Sequence, residues 1–166
     1  MTLAARPASP DDAPALAQIY NEGIEDRVGT FETRPRTSDD VLSWFDGMHP
    51  IIVVEDAAAG VVAFASTSSY RNRACYSGIA EFSVYVARQA RGQGAGTVAM
   101  QALLDVVPAA GIWKLVSRIF VENTASRRLM ASMGFREVGI YEKHAKLDGQ
   151  WRDVVIVERL IPENLR

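Results

Sequence analysis

A seven-residue segment in the middle of the chain has the composition of an anion-binding turn. Glycines at positions 92, 94 and 96 alternate with other residues between Arg91 and Thr97, and an amphipathic segment follows. Glycine allows positive φ and close backbone approach, so several N–H groups can point at one anion. A helix that starts at the turn would direct its positive end to the same place. The segment therefore predicts a binding site for a phosphate-bearing ligand.

Two familiar phosphate-binding motifs do not fit this segment. A Walker loop ends in Gly-Lys-Ser or Gly-Lys-Thr, and the segment contains no lysine. A dinucleotide fingerprint has the spacing Gly-x-Gly-x-x-Gly after the first strand of a βαβ unit, whereas these glycines follow a strand in mid-chain. The pattern that fits is Arg-x-x-Gly-x-Gly, from Arg91 to Gly96. A flexible turn that opens a helix is the alternative interpretation.

An acidic residue, Glu81, lies in the mostly apolar strand that leads into the turn. A carboxylate buried without a partner is costly, and partial burial would raise its pKa toward the working range of a general base. Such a base could take a proton from an ammonium group. An exposed glutamate at a strand end is the alternative interpretation.

Periodicity predicts an α+β fold, three-layered, with a mixed central sheet flanked by helices. Helices are expected to begin at Ser9, at Ser38, near Thr97 and at Asn123. Hairpins on both sides of the turn indicate one domain that spans residues 1–166. The predicted strands cover 3–6, 51–55, 61–68, 79–86, 113–121, 135–141 and 151–160, and Arg118 faces a different way from its apolar neighbours.

Composition argues against several classes of function. Lys plus Arg is 18 and Asp plus Glu is 20, a net charge of −2 that gives no reason to expect nucleic acid or a membrane surface as partner. We expect neither a signal peptide nor a spanning helix, because no apolar run is long enough. Cys75 is the only cysteine and there are two histidines, so we expect no disulfide within the chain, no metal site and a cytoplasmic location. We expect Cys75 to be a small buried residue.

The Arg91–Gly96 motif resembles the pyrophosphate loop of the GNAT family of N-acetyltransferases, and the predicted element order is similar over nearly the whole chain. Residues 122–126, followed by Gly134 and Phe135, resemble the second cofactor motif of that family. The branch that acetylates phosphinothricin, methionine sulfoximine or sulfone, and arsinothricin is a closer resemblance. It is carried by residues 30–33, 70–71, 81–86, 122–126 and 146–153.

The branch resemblance implies what the protein does and with what partners. Members transfer acetyl from acetyl-CoA to the α-amino group of amino acids with a tetrahedral polar or anionic head, confer resistance, and are usually homodimers. It implies that Glu81 is the general base, directly or through water, and that a backbone N–H near Val84 to Val86 stabilises the oxyanion. The residues that it implies for cofactor contact are Val84, Tyr85, Val86, Arg91, Gly92, Gln93, Gly94, Ala95, Gly96, Thr97, Asn123 and Ser126.

Two of these roles have alternatives. Asn123 and Ser126 suit helix capping as well as cofactor contact, and both functions could hold together. Many relatives carry a tyrosine seven residues after the motif asparagine, where this chain has Met130, which cannot donate a proton. Tyr85, Tyr141 or solvent could protonate the leaving thiolate instead, or the thiolate could leave unaided.

Candidate substrate contacts lie in two connectors. If the segment after Tyr70 is extended, Arg71 and Arg73 share a face, and arginine forks suit carboxylates and tetrahedral oxyanions. A solvated basic loop is the alternative, weightier for Arg73. We interpret Phe31 and Glu32, in an irregular loop, as pocket wall and ammonium contact. Hairpin packing is expected for Trp151, with a pocket or dimer role as the alternative, and surface exposure for Lys146.

Three functions are open at this stage. The first is an N-acetyltransferase for amino-acid analogues, and the second is an acetyltransferase for another small amine or a protein N-terminus. The third is a non-catalytic acyl-CoA-binding sensor, which would need the glycine turn but would not need Glu81.

Overall fold

One seven-stranded mixed sheet runs through residues 2–166, the part of the chain that the computed structural model describes. Its strand order is β1-β2-β3-β4-β5-β7-β6, and only β4 and β5 pair in parallel. The fold class predicted from the sequence is therefore confirmed. The strands are β1 (Leu3–Pro7), β2 (Ile51–Asp56), β3 (Gly60–Ser69), β4 (Ile79–Val86), β5 (Lys114–Phe120), β6 (Arg136–Leu147) and β7 (Gln150–Leu160).

Four α-helices connect the strands. They are α1 (Ala13–Glu25), α2 (Ser38–Leu42), α3 (Ala95–Val106) and α4 (Thr124–Ser132). Ser9 precedes a short 3-10 turn before α1, where its N–H donates to Asp12 Oδ2 at 2.8 Å and its carbonyl accepts the N–H of Asp12 at 2.9 Å. The cap of α2 is Thr37 rather than Ser38, because the Thr37 side chain accepts the N–H of Asp40.

Helices cover both faces of the sheet and bury its apolar side chains. On one face, Tyr20 of α1 and Trp44 pack against Phe64 and Tyr85, with ring centroids 5.1 to 5.7 Å apart. On the other face α3 buries Met100 and Leu103 fully. Because helices pack on both faces of the sheet, they hold β3 and β4, the strands that carry the site, in a fixed position.

A glycine allows α1 to approach β4 closely. A Cβ atom on Gly23 would lie 2.8 Å from the ring of Tyr85, closer than real contacts allow. The helix can therefore pass directly over Tyr85 only because position 23 has no side chain.

The parallel strands β4 and β5 pair only briefly and then separate. Their register joins Ile79 with Lys114 and continues as far as Glu81 with Val116. Beyond that point β4 continues to Val86 and β5 to Phe120 without pairing to each other. The sheet is therefore split from this point onward, and the split opens a gap between two of its central strands.

Two expectations about the surface are corrected or completed here. Cys75 is exposed, so the prediction of a buried cysteine was wrong, because the connector after β3 forms a surface 3-10 turn at Ala74–Tyr76. Lys146 is exposed as predicted, and its ammonium lies 4.9 Å from the ring centroid of Trp151, which is itself exposed at the β6–β7 hairpin. Within residues 2–166, no helix is both long and apolar enough to span a bilayer.

Candidate functional site

A cleft of about 500 Å³ occupies the gap between β4 and β5. It runs from the point where the strands separate to the glycine turn and the first residues of α3 and α4. Ten of the twelve residues predicted to contact a cofactor line it. They are Val84, Tyr85, Val86, Arg91, Gly92, Gly94, Gly96, Thr97, Asn123 and Ser126.

The edge of β4 that faces the cleft has free peptide groups. Ser117 Oγ donates a 2.9 Å hydrogen bond to the carbonyl of Phe82, so this carbonyl points into the gap. Peptide groups alternate in direction along a strand, which aims those of Val84 and Val86 the same way. The N–H of Val84 can therefore pair with an extended ligand as an added strand would, or donate to a developing oxyanion.

The glycine turn forms the far end of the cleft. Gly92 has φ +77° and Gly94 has φ +89°, both in the left-handed region that favours glycine. A Cβ atom at either position would meet no atom within 4 Å, so this side of the turn is open. Gly94 also caps α3, whose first N–H groups have no acceptor within the helix. The turn is thus a concave set of N–H donors that a diphosphate fits.

The two other residues of the turn lie outside the cleft lining. Gln93 donates from Nε2 to the carbonyl of Gln89 at 3.4 Å. Ala95 is buried in the core beneath the turn and can contribute only its backbone N–H. For these two positions, the structure supplies no side chain at the cleft.

The acidic end of α1 anchors the glycine turn. Arg91 Nη1 lies 2.7 Å from Asp26 Oδ2, and Arg88 Nε lies 2.9 Å from the same oxygen. Hydrogen bonds from Arg88 and then Arg91 lower the pKa of Asp26 from 3.8 to about 2. Glu22 Oε1 additionally accepts the backbone N–H of Arg88 at 2.9 Å. The role of Arg88 was not predicted from the sequence. The available signal was its position three residues before Arg91, together with three acidic residues at the end of α1.

Asn123 closes the cleft at the start of α4. Its Oδ1 accepts the N–H of Ser126 at 3.2 Å, which is the predicted helix cap. Its Nδ2 donates to the carbonyl of Val28 at 3.0 Å and thereby ties α4 to the loop after α1. Met130, buried two turns further along α4, lines the cleft without a proton to donate.

Glu81 lies where the two strands separate, and it is paired with Arg118. Arg118 Nη2 is 2.7 Å from Glu81 Oε1, with the Glu81 side chain 33% exposed and that of Arg118 47% exposed. Both side chains lie on the face of the sheet that carries Tyr85, since Glu81 is in register with Val116. Arg118 lines the cleft, whereas Glu81 lies outside the lining and is connected to it through Arg118. The sequence had shown Arg118 only as a charge in an apolar strand.

The four predicted substrate residues lie outside the cleft lining. Phe31 packs edge-on against Phe120 at 5.0 Å, close to the lining, and Glu32 is exposed and paired with Arg36 at 3.0 Å. Arg71 and Arg73 are both exposed.

The two arginines were expected to share a face only if this connector is extended, and it is not. The connector bends, with the N–H of Arg73 donating to the carbonyl of Arg71 at 2.9 Å.

The charged residues that line the cleft are Arg91 at one end and Arg118 at the other. Positive charge at the glycine turn suits a phosphate ligand. Across residues 2–166, no group of three or more His, Cys, Asp or Glu side chains is positioned to hold a metal ion. A split parallel strand pair with an N–H-rich turn at its end can hold a ligand that carries a diphosphate on an extended arm.

Comparison with known proteins gives the family. The family model described as Acetyltransferase (GNAT) domain matches residues 2–136. YwnH of Bacillus subtilis is 36% identical over 162 residues, which are 96% of this chain and 98% of the relative. The L-methionine sulfoximine/L-methionine sulfone acetyltransferase of Pseudomonas paraeruginosa is 30% identical over 162 residues, 95% of this chain and 94% of the relative.

A solved structure agrees with these matches. The GNAT superfamily phosphinothricin acetyltransferase from Sinorhizobium meliloti in complex with AcCoA superposes with a TM-score of 0.89 at 27% identity, over 96% of this chain and 89% of that chain. The chain belongs to the GNAT acetyltransferase family. It is an acetyl-CoA-dependent N-acetyltransferase of the branch whose relatives are named phosphinothricin or methionine sulfoximine acetyltransferases.

Proposed function

We propose that the protein acetylates the α-amino group of an amino-acid analogue that carries a tetrahedral polar or anionic head. Phosphinothricin, methionine sulfoximine, methionine sulfone and arsinothricin are the candidate acceptors, the first three of which also appear in the names of relatives. The observation that carries the proposal is the free edge of β4, which joins the glycine turn at one end to Glu81 at the other. Acetylation would remove the positive charge of the α-ammonium group, a change by which such an enzyme could confer resistance.

Residues of this chain can hold acetyl-CoA along the whole cleft. The N–H groups at Gly92, Gly94, Gly96 and Thr97 suit its diphosphate, and the edge of β4 suits its pantetheine arm. When bound, acetyl-CoA supplies a thioester whose carbonyl carbon bonds to the amine nitrogen while the carbon–sulfur bond breaks and the thiolate leaves. The N–H of Val84 can donate to the thioester oxygen, where negative charge develops.

Glu81 is the proposed base that takes the proton from the substrate ammonium. Its Oε1 accepts a 2.7 Å hydrogen bond from Arg118 Nη2, which holds the carboxylate in place. Its Oε2 accepts no hydrogen bond from residues 2–166 and can face the amine directly or through one water.

Solvent fits best as the proton source for the thiolate. Burial raises the pKa of the Tyr85 hydroxyl above its ordinary value, which makes it a weaker acid. Tyr141 is an exposed residue of β6, outside the cleft lining. Met130 has no proton to give, as the sequence indicated.

Side chains outside the cleft lining could complete the substrate pocket. Phe31 packs on Phe120, which does line the cleft, and so it can form an apolar wall next to the acceptor. Glu32 could attract the ammonium group, and the exposed guanidinium groups of Arg71 and Arg73 could reach an anionic head.

A homodimer is part of the proposal. Edge strand β6 exposes Val138, Ile140 and Tyr141, and β7 exposes Trp151. A second copy could cover the exposed apolar side chains on one face of this edge. Sedimentation of wild type and of Ile140→Glu tests this idea, since a dimer that depends on this surface should become monomeric.

The test of the proposed function is acetylation of the four analogues by wild type and by Glu81→Gln. The reaction is measured as the release of free coenzyme A thiol. Loss of a general base is expected to lower kcat by about 100- to 10,000-fold while the affinity for acetyl-CoA is retained. Glu142→Gln, an exposed glutamate on β6, is the matched control and should behave like wild type.

Unchanged turnover in Glu81→Gln would remove this residue from the mechanism. Tight binding of acetyl-CoA by the wild type, without transfer to any of the analogues or to other amines, would instead support a sensor.

A further inference from the structure

The two arginines of the cleft differ in how completely they are used. Arg91 is bonded to Asp26 and to the carbonyl of Val86, at the end where a diphosphate fits. Arg118 lies at the other end, where the amine must enter. Glu81 and Val86 are five residue steps apart along the extended strand β4, a distance of roughly 17 Å. Arg118 is therefore too far from the glycine turn to serve the same phosphates.

The Arg118–Glu81 pair has unused hydrogen-bonding capacity on both sides. A guanidinium group has five N–H donors, and among residues 2–166 the Arg118 side chain donates one hydrogen bond, to Glu81 Oε1. Across the sheet, Arg118 is opposite Ile156 of β7, so no second carboxylate faces it there. Arg118 thus keeps open donors beside the proposed base, on a face of the sheet that solvent reaches.

We propose that Arg118 binds the α-carboxylate of the substrate while Glu81 receives its α-ammonium group. An α-amino acid carries these opposite charges on one carbon, and the Arg118–Glu81 pair presents opposite charges 2.7 Å apart. The zwitterion can therefore lie against the pair with each charge next to its opposite, through charge-assisted hydrogen bonds. Arg118 then selects amino acids over simple amines.

This role for Arg118 deepens the proposed function and rests on it. A polyamine has no anion to offer, and its positive charges would be repelled by Arg118. An isolated surface ion pair that only holds Glu81 in place is the competing explanation, and pairs of that kind contribute little to stability.

The experiment compares two acceptors that differ only in the carboxylate: L-methionine sulfone and 3-(methylsulfonyl)propylamine. Wild type, Arg118→Gln and Arg118→Lys are assayed with both acceptors by free-thiol release. Arg128→Gln, a change of an exposed arginine on α4, is the matched control. Each acceptor is compared with itself between variants, so the different basicities of the two amines cancel.

Arg118→Gln is expected to lose about 10- to 100-fold more in kcat/KM on L-methionine sulfone than on the propylamine, mainly through KM. Arg118→Lys keeps the charge but loses the forked guanidinium group, so its kcat/KM on L-methionine sulfone should lie between those of wild type and Arg118→Gln. Arg128→Gln should match wild type on both acceptors.

Equal losses on both acceptors in Arg118→Gln would overturn the carboxylate contact and leave the proposed function standing, because Arg118 would then act only by holding Glu81. If wild type acetylates the propylamine as well as it acetylates the amino acid, the selection is refuted directly. If wild type acetylates none of the amino-acid analogues, the proposed function fails and the role of Arg118 fails with it.

Discussion

Substituting Gly94 by alanine tests whether the glycine turn holds the cofactor. Gly94 has φ +89° and ψ 3°, a conformation that costs an alanine about 1–2 kcal/mol. No atom lies within 4 Å of the position of the new Cβ, so this conformational cost is the whole expected effect on the free protein. For a chain of 166 residues this corresponds to a fall in Tm of about 3 to 6 °C.

The effect on acetyl-CoA should be larger than the effect on folding. The added methyl group would occupy the open side of the turn and displace N–H donors aimed at the diphosphate. Losing one charge-assisted hydrogen bond lowers affinity by about 10- to 100-fold. Acetyl-CoA titration by calorimetry, beside thermal unfolding of the same samples, measures both quantities.

Gly47 provides a matched control. It also has positive φ, +77°, also has open space where a Cβ would stand, and lies in the loop before β2, away from the cleft. Gly47→Ala should lower Tm as much as Gly94→Ala and leave acetyl-CoA affinity unchanged. Equal affinities in the two variants would refute the reasoning that the turn grips the cofactor.

Two further predictions concern the anchors of the cleft. A carboxylate whose pKa is lowered to about 2 stabilises the folded state above its ordinary value of 3.8, and this contribution is lost as pH falls through that interval. In Asp26→Asn, the free energy of unfolding measured by urea denaturation should therefore depend less on pH between about 4 and 2. An unchanged slope would contradict the anchoring role. Asn123→Asp keeps the cap of α4 but loses the bond to Val28, so it should lose about 1 kcal/mol, less than Asn123→Ala, which loses both. Equal losses in chemical denaturation would show that the cap bond to Ser126 contributes nothing.

Local patterns explain what the sequence could predict. A mostly apolar run marked β4 at its observed bounds, and the glycine spacing marked the turn, because both signals lie within a few consecutive residues. The strand β6 was predicted to end at Tyr141 but continues to Leu147. A register shift between Tyr141 and Ala145 interrupts its alternation, and Lys143 there has φ +48°, so periodicity lost the strand.

Contacts between distant segments explain what the sequence could not predict. The Arg118–Glu81 pair depends on the register of β4 with β5, and 37 positions separate the two residues. The bond from Asn123 to the carbonyl of Val28 spans 95 positions. The local sequence around each of these residues does not identify its distant partner. The bend between Arg71 and Arg73 was also not predicted, because the shared-face argument assumed an extended chain.

Because the cleft lies between β4 and β5, a ligand bound there would couple the stability of the protein to the supply of that ligand. Where β4 and β5 separate, peptide groups lack their usual strand partners. A ligand that binds to these groups adds its binding free energy to the stability of the folded protein. A ligand at 100 times its Kd adds about 2.7 kcal/mol to the free energy of unfolding. When acetyl-CoA becomes scarce, we expect the empty protein to unfold more often and to be degraded sooner, so its level would follow the supply of its own acyl donor.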